Sequence, residues 1–207
     1  MKIIHYFVDT ETGGLHPRNN PLLEICIVKR INGQEKERFY AKILPTESDI
    51  LEPIALQKNG LRPLEWRRGH RNVYEPMVAA AMINDFFEIP KKGEGFCYFI
   101  AHNAKFDVSF IRALSDKTGV RISIPYMQID TVHLAAALLI PLGLQNHKMD
   151  TIRELLNVSP ERAHTAEKDV EDLMYLYDMI TPPLDSIKYK PILDWINKIC
   201  VLMLRLQ

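Results

Sequence analysis

Net charge is what this chain most plainly lacks: 26 Lys and Arg are matched by 26 Asp and Glu in 207 residues. No global field draws in a polyanion, so a grip on nucleic acid has to come from a local site, a metal or a partner. Cysteine is scarce as well. Cys26, Cys97 and Cys200 lie far apart in apolar segments, and no Cys-x-x-Cys pair is present for zinc or redox work. They read as reduced core residues of an intracellular, cytoplasmic protein. No apolar run is long enough to span a membrane, and the N-terminal one is cut by Asp9 and Glu11 too early for a signal peptide. Internal repeats and low-complexity tracts are missing too. What remains, 47% hydrophobic and 25% charged, is the composition of a globular protein with enough chain for one sizeable core.

The stretch Phe7-Val8-Asp9-Thr10-Glu11-Thr12-Gly13-Gly14-Leu15 stands out. A short apolar run, Ile3 to Val8, reads as a buried strand closed by a turn signal. Side chains alternate along a strand, so Asp9 and Glu11 share a face. Two adjacent acids at the end of a core strand repel each other and are costly to desolvate. A divalent cation offsets that cost, and Mg²⁺ or Mn²⁺ takes hard oxygen ligands. A bare Asp-x-Glu is common by chance, however, and alone reads more simply as a solvated strand end.

Further along, Leu22 to Ile31 and Glu37 to Leu44 read as strands joined by the hairpin signal Asn32-Gly33. Pro45 to Glu75 is irregular, with one helical piece at Ile54 to Lys58. Its cations Lys58, Arg62, Arg67, Arg68 and Arg71 surround Trp66. The stretch fits either a loop that grips phosphates and stacks a base, or a solvated loop with one anchored Trp. Met77 to Phe87 predicts a helix, Phe96 to Ala101 a central strand, Lys105 to Lys117 a helix stopped by Gly119, and Ile122 to Ile129 a strand. Helices follow at Val132 to Leu139, capped by Asp130-Thr131, at Thr151 to Leu156, capped by Asp150, and at Ala163 to Ile180. The expected fold is α/β: a mixed five-stranded sheet, with a three-stranded antiparallel meander and parallel strands, flanked by helices.

Two later segments supply partners for the opening acids. In Ala101-His102-Asn103-Ala104-Lys105-Phe106-Asp107, Asp107 falls in the first turn of a helix that follows a core strand, where open α/β sheets put ligand sites. In His164-Thr165-Ala166-Glu167-Lys168-Asp169, a His at a helix mouth and an Asp on its first turns reach one site. Each alone has a plain structural reading, a helix-dipole acid in one case and a capping His with a surface acid in the other. Together with residues 7–15, these segments resemble the DEDDh family of 3′–5′ exonucleases, the family of the epsilon proofreading subunit of bacterial DNA polymerase III and of ribonuclease T. Leu22-Leu23-Glu24-Ile25, Asp130-Thr131 and Met149-Asp150-Thr151-Ile152 are secondary matches.

The resemblance implies an RNase H-like fold and two divalent cations, Mg²⁺ or Mn²⁺, roughly 3.5–4 Å apart across the scissile phosphate. It implies that Asp9 bridges both ions, that Glu11 and Asp169 complete the ion holding the attacking water, and that Asp107 serves the second. His164 is then the general base. Backbone amides at Thr12, Gly13 and Gly14 are placed to hold the terminal nucleotide, and Asn103 to position phosphate. Relatives of the epsilon type carry His-Gly-Ile after the third strand; Asn59-Gly60-Leu61 stands there in this chain, which makes Asn59 the matching contact.

The expected substrate is the 3′ end of single-stranded DNA, in proofreading or repair, with an exoribonuclease of the same mechanism as the alternative. A non-catalytic binding subunit is disfavoured because all five catalytic positions are intact. The exonuclease domain is expected over 1–181. An apolar helix in 182–207 then packs on it, or covers a polymerase subunit or a second copy of the chain.

Overall fold

The computed structural model describes residues 1–140, 143–159 and 164–181. The expected C-terminal helix in 182–207, with Cys200, lies outside these residues.

The strands are β1 (Lys2–Thr12), β2 (Leu22–Ile31), β3 (Gln34–Ile43), β4 (Val73–Tyr74), β5 (Gly95–Ala101) and β6 (Met127–Asp130). They form one sheet in the order β4-β3-β2-β1-β5-β6. β1 to β3 are antiparallel neighbours, whereas β5 runs parallel to β1 and β6 parallel to β5. The meander plus parallel strands is the expected mixed sheet, with a sixth strand added: two residues of the proline-rich region pair parallel to Lys42 and Ile43. The Asn32-Gly33 turn has φ of 50° and 83°, the doubly left-handed geometry that tight hairpins need.

The helices are α1 (Pro53–Asn59), α2 (Pro76–Phe86), α3 (Ala104–Thr118), α4 (Thr131–Leu138), α5 (Met149–Leu156) and α6 (Ala166–Ile180). Alternation along β1 divides them between two faces. Ile4, Tyr6 and Val8 enter a core with Ala79 and Ile83 of α2 and Val108 and Ile111 of α3. Phe7 enters the opposite core with Cys26, Val28 and Ile100, against Ala166, Val170 and Leu173 of α6. Phe7 and Phe99 are fully buried, each contributing about 1.5–3 kcal/mol. The strand that carries the acids is therefore clamped from both sides. A third cluster joins α4, α5 and α6 through Ala135, Ile152 and Leu176. Cys26 and Cys97 are buried and unpaired. Among the described residues, no helix is long and apolar enough to cross a membrane.

Several element boundaries differ from expectation, and two of the differences have a clear local cause. The strand expected from Ile122 forms only at Met127–Asp130. Upstream, backbone donors go to side chains instead of a neighbouring strand: Ile122 N–H to Ser115 Oγ at 3.3 Å and Ser123 N–H to Asn84 Oδ1 at 3.0 Å. Pro125 has no N–H to give. Asp150 does not cap α5, because the helix starts at Met149 with Lys148 at the cap position; Asp150 lies in its first turn and pairs with Arg153.

Candidate active site

β1 does not stop at its acids. It runs on through Asp9 and Glu11 to Thr12, paired with β2 up to Leu22. Asp9 and Glu11 project on the α6 side, and Asp169 meets them from the first turn of α6, whose cap is Thr165 Oγ1 accepting from Lys168 N–H at 3.4 Å. One carboxylate oxygen from each of Asp9, Glu11 and Asp169 lies within 4.8 Å of the others. Asp107 comes from the other side of β1, in the first turn of α3, and is not part of that trio. It is 4% exposed and accepts the Thr10 hydroxyl at 2.7 Å.

His164 is left-handed at φ 65°, and its backbone N–H donates to Asp169 Oδ1 at 3.2 Å. It lines a 630 Å³ cleft together with Asp9, Lys58, Asn103, Arg153 and Asp169. Asn103 is left-handed too, at φ 75°, and its N–H is held by Asp130 Oδ1 at 3.0 Å. The same carboxylate takes the Ala104 and Val132 N–H groups, so Asp130 ties the starts of α3 and α4 together at the cleft.

The glycine pair has a packing role. A Cβ on Gly13 would stand 2.7 Å from Pro21 Cδ, and one on Gly14 would stand 2.4 Å from Asn20 Cγ. The Gly13 N–H already donates to the Pro21 carbonyl at 2.9 Å, and the Thr12 hydroxyl to the Gly14 carbonyl at 2.6 Å. This corrects the expectation for Gly13, whose amide is spent within the turn. Asn59 is buried: its Nδ2 donates to the Thr12 carbonyl at 3.2 Å and its Oδ1 accepts from Leu61 N–H at 3.1 Å. It docks α1 on the end of β1 beside Glu11.

Electrostatics sets the character of the cluster. Burial, then the charges of Asp107, Asp169 and Glu11, hold the Asp9 carboxyl well above the usual range. Burial, then Asp169 and Glu24, push Glu11 up to about 8. Asp107 is pushed up to about 7, chiefly by burial. Asp169 is raised by burial, against the opposing pull of Arg153. An all-oxygen donor set that resists ionisation when bare fits a hard divalent cation, whose charge favours the ionised carboxylates.

The sign of the pH dependence follows. Unfolded Asp and Glu titrate near 4, so across the window from there to about 8 the folded state holds protons that the unfolded chain has released. In chelator, thermal denaturation should show Tm falling as pH rises through that window, and saturating Mn²⁺ should restore it most at the alkaline end. A Tm in chelator that is flat or rising across the window would show these acids ionised without metal.

Two functional side chains escape the sequence reading. Thr10 points to the opposite face from Asp9 and Glu11, yet it orients Asp107. Arg153 is 3% exposed and donates to three acids: Nε to Asp172 at 2.7 Å, Nη1 to Asp150 at 2.8 Å and Nη2 to Asp169 at 2.6 Å. Lys168 adds a second cation on Asp172. The available signal is positional: Arg153 interrupts the stripe Met149, Ile152 and Leu156 at i, i+3 and i+7, where an unpaired charge would be costly.

The site is a carboxylate trio at the end of a clamped central strand, with a fourth acid on the other side of that strand and a His just before α6, an oxygen-rich set that fits divalent cations. The family is shown by comparison with known proteins. The exonuclease family model matches residues 6–177, and the chain belongs to that family. Ribonuclease T of Photorhabdus laumondii is 33% identical over 144 residues, 64% of this chain and 64% of that protein. The 3′–5′ exonuclease DinG of Bacillus subtilis is 26% identical over 184 residues, 88% of this chain and 18% of that protein. E. coli Exonuclease I in complex with a dT13 oligonucleotide superposes with a TM-score of 0.71 at 17% identity, covering 97% of this chain and 45% of that one. This chain thus spans less than two thirds of each of these proteins.

Proposed function

We propose that this chain removes nucleotides one at a time from the 3′ end of single-stranded DNA, releasing nucleoside monophosphates. The observation that carries the reading is the convergence of Asp9, Glu11 and Asp169 within 4.8 Å, with His164 on the wall of the same cleft. Asp9, Glu11, Asp107 and Asp169 are the residues to hold two divalent cations, Mg²⁺ or Mn²⁺, which when bound supply charge to the phosphoryl transition state and promote ionisation of the attacking water. His164 accepts the proton of that water, a general-base task that a neutral imidazole performs. Thr10 orients the buried Asp107, and Asp130 holds the Asn103 backbone on the wall of the cleft. Asn103 positions phosphate there, and the Gly14 turn seats the terminal nucleotide.

An exoribonuclease of the same mechanism is the second reading, and similarity to Ribonuclease T favours it. Proofreading or repair inside the cell, with a polymerase subunit or a second copy docked on the apolar 182–207 segment, remains the proposed setting. The deciding experiment digests matched single-stranded DNA, RNA and duplex DNA with a mismatched 3′ end, each 5′-labelled, with Mg²⁺ or Mn²⁺. A ladder shortening from the 3′ end, fastest on single-stranded DNA, is expected. Faster loss of RNA would move the assignment to the second reading. No cleavage of any substrate with either metal would leave a binding subunit.

A further inference from the structure

The neutral composition leaves open how a polyanion stays on the enzyme once its 3′ end is in the cleft. The sheet register offers an answer. Glu11 pairs with Glu24 across β1 and β2, and Glu24 pairs with Lys42 across β2 and β3. Directly paired residues share a face, so these three form one row leading away from the acid trio. At the ordinary strand spacing, the Lys42 Cα stands about 10 Å from that of Glu11.

Trp66 extends the row. The Lys42 ammonium lies 5.5 Å from the centre of the Trp66 ring and 3.3 Å from Glu24 Oε1, which also accepts the Tyr40 hydroxyl at 2.6 Å. The loop that carries Trp66 is pinned. Trp66 N–H donates to the Pro63 carbonyl at 3.2 Å, and Arg67 Nη1 donates to the Leu64 and Trp66 carbonyls at 2.8 Å each. Lys42 N–H donates to the Asn72 carbonyl at 2.7 Å, fastening the far end of the loop to β3. The ring is only partly buried. Further cations are at hand: Lys58 lines the cleft beside Asp9, and Arg62, Arg68 and Arg71 are exposed positions of the loop that carries Trp66. The carboxylate partners of Arg62 and Arg68 are surface residues on the same loop and its exit, Glu65 and Glu75; exposed pairs of this kind are weak enough to yield to a phosphate.

We infer that Trp66, backed by Lys42, is a stacking platform for a base upstream of the terminal nucleotide, and that Lys58 and the loop arginines hold the phosphates between platform and cleft. The ligand class is a single-stranded polynucleotide, since a base stacked between neighbours inside a duplex has no free face to offer. Stacking on one ring with phosphate contacts is tolerant of base identity, which suits an enzyme that has to advance along any sequence. The platform rests on the exonuclease reading for its direction, but binding tests it separately.

The test compares wild type, Trp66→Ala and Trp66→Phe on a dinucleotide and on a single-stranded oligonucleotide of roughly ten residues, within the span that a stacking groove covers. Trp66→Ala should raise KM for the longer substrate roughly 5- to 100-fold, the loss of one stacked base. It should leave kcat unchanged and the dinucleotide unaffected, and Trp66→Phe should recover most of the loss. In chelator, anisotropy of a labelled deoxyadenylate or riboadenylate ten-mer should weaken by a similar factor. Equal losses on both lengths, or no loss on either, overturn the platform, as does a Trp66→Phe variant as impaired as Trp66→Ala. If wild type cleaves nothing, the exonuclease reading fails, and the anisotropy comparison still decides the platform.

Discussion

Asp9→Asn is expected to abolish cleavage while stabilising the metal-free protein. Asp9 is the member of the cluster that feels all three other acids. Asn keeps its shape on β1 and carries no charge, so the repulsion that Asp107, Asp169 and Glu11 exert on this buried position is relieved without a cavity. In chelator near pH 8 the variant should therefore melt higher than wild type, each kcal/mol of relief appearing as roughly 2–4 °C for a chain of this size. Metal should reverse the order: Mn²⁺ should raise the Tm of wild type far more than that of the variant. The rate should fall by more than the ~10–100-fold that loss of a partner outside the ligand set costs. Calorimetry in chelator and in Mn²⁺, with single-turnover cleavage, checks all three. A variant that cleaves at the wild-type rate would remove Asp9 from the ligand set.

Both halves of that prediction come from the same arrangement, and its parts differed in how visible they were in the sequence. Asp9 and Glu11 were legible because strand alternation is strictly local: a period of two puts them on one face whatever the rest of the chain does. Asp107 and Asp169 were legible as acids in first turns of helices, positions that strand ends and caps announce. The hairpin, α3 and the central strands rest on equally local signals. Thr10 was hidden by the alternation that revealed its neighbours, since its link to Asp107 spans 97 positions and two elements. The short strand at Val73–Tyr74 has too few residues to show any period, and its pairing with β3 is a tertiary event. The resemblance implied a nucleotide seat at the amides of Thr12, Gly13 and Gly14, and the sequence alone showed Gly13 and Gly14 only as a turn signal. The contacts of Pro21 and Asn20, brought in by the return into β2, show that the missing side chains make room for packing.

Arg153 is the largest omission, and replacing it should have the largest effect on stability. Its guanidinium is buried among Asp150, Asp169 and Asp172, and it is the cation that opposes the shifts of both Asp9 and Asp169. Two donors, Arg153 Nη2 and the His164 N–H, converge on Oδ1 of Asp169. That convergence fixes the carboxylate and leaves its other oxygen for a cation. Removing one partner of a buried ionic network leaves the others desolvated and unpaired, so Arg153→Met should destabilise the protein by ~3–5 kcal/mol. Lys168 spares Asp172 part of that loss. Arg153→Lys restores the charge but cannot serve three carboxylates from one ammonium with the geometry of a planar fork, and should recover part of the stability. Where the Met variant folds, released Asp169 should bind Mn²⁺ with a changed affinity, read by calorimetric titration. Loss of orientation predicts weaker binding, whereas loss of a competing cation alone predicts tighter binding. Denaturant unfolding in chelator decides the stability claim: a Met variant as stable as wild type would mean that Arg153 is not needed to bury Asp169 and Asp172.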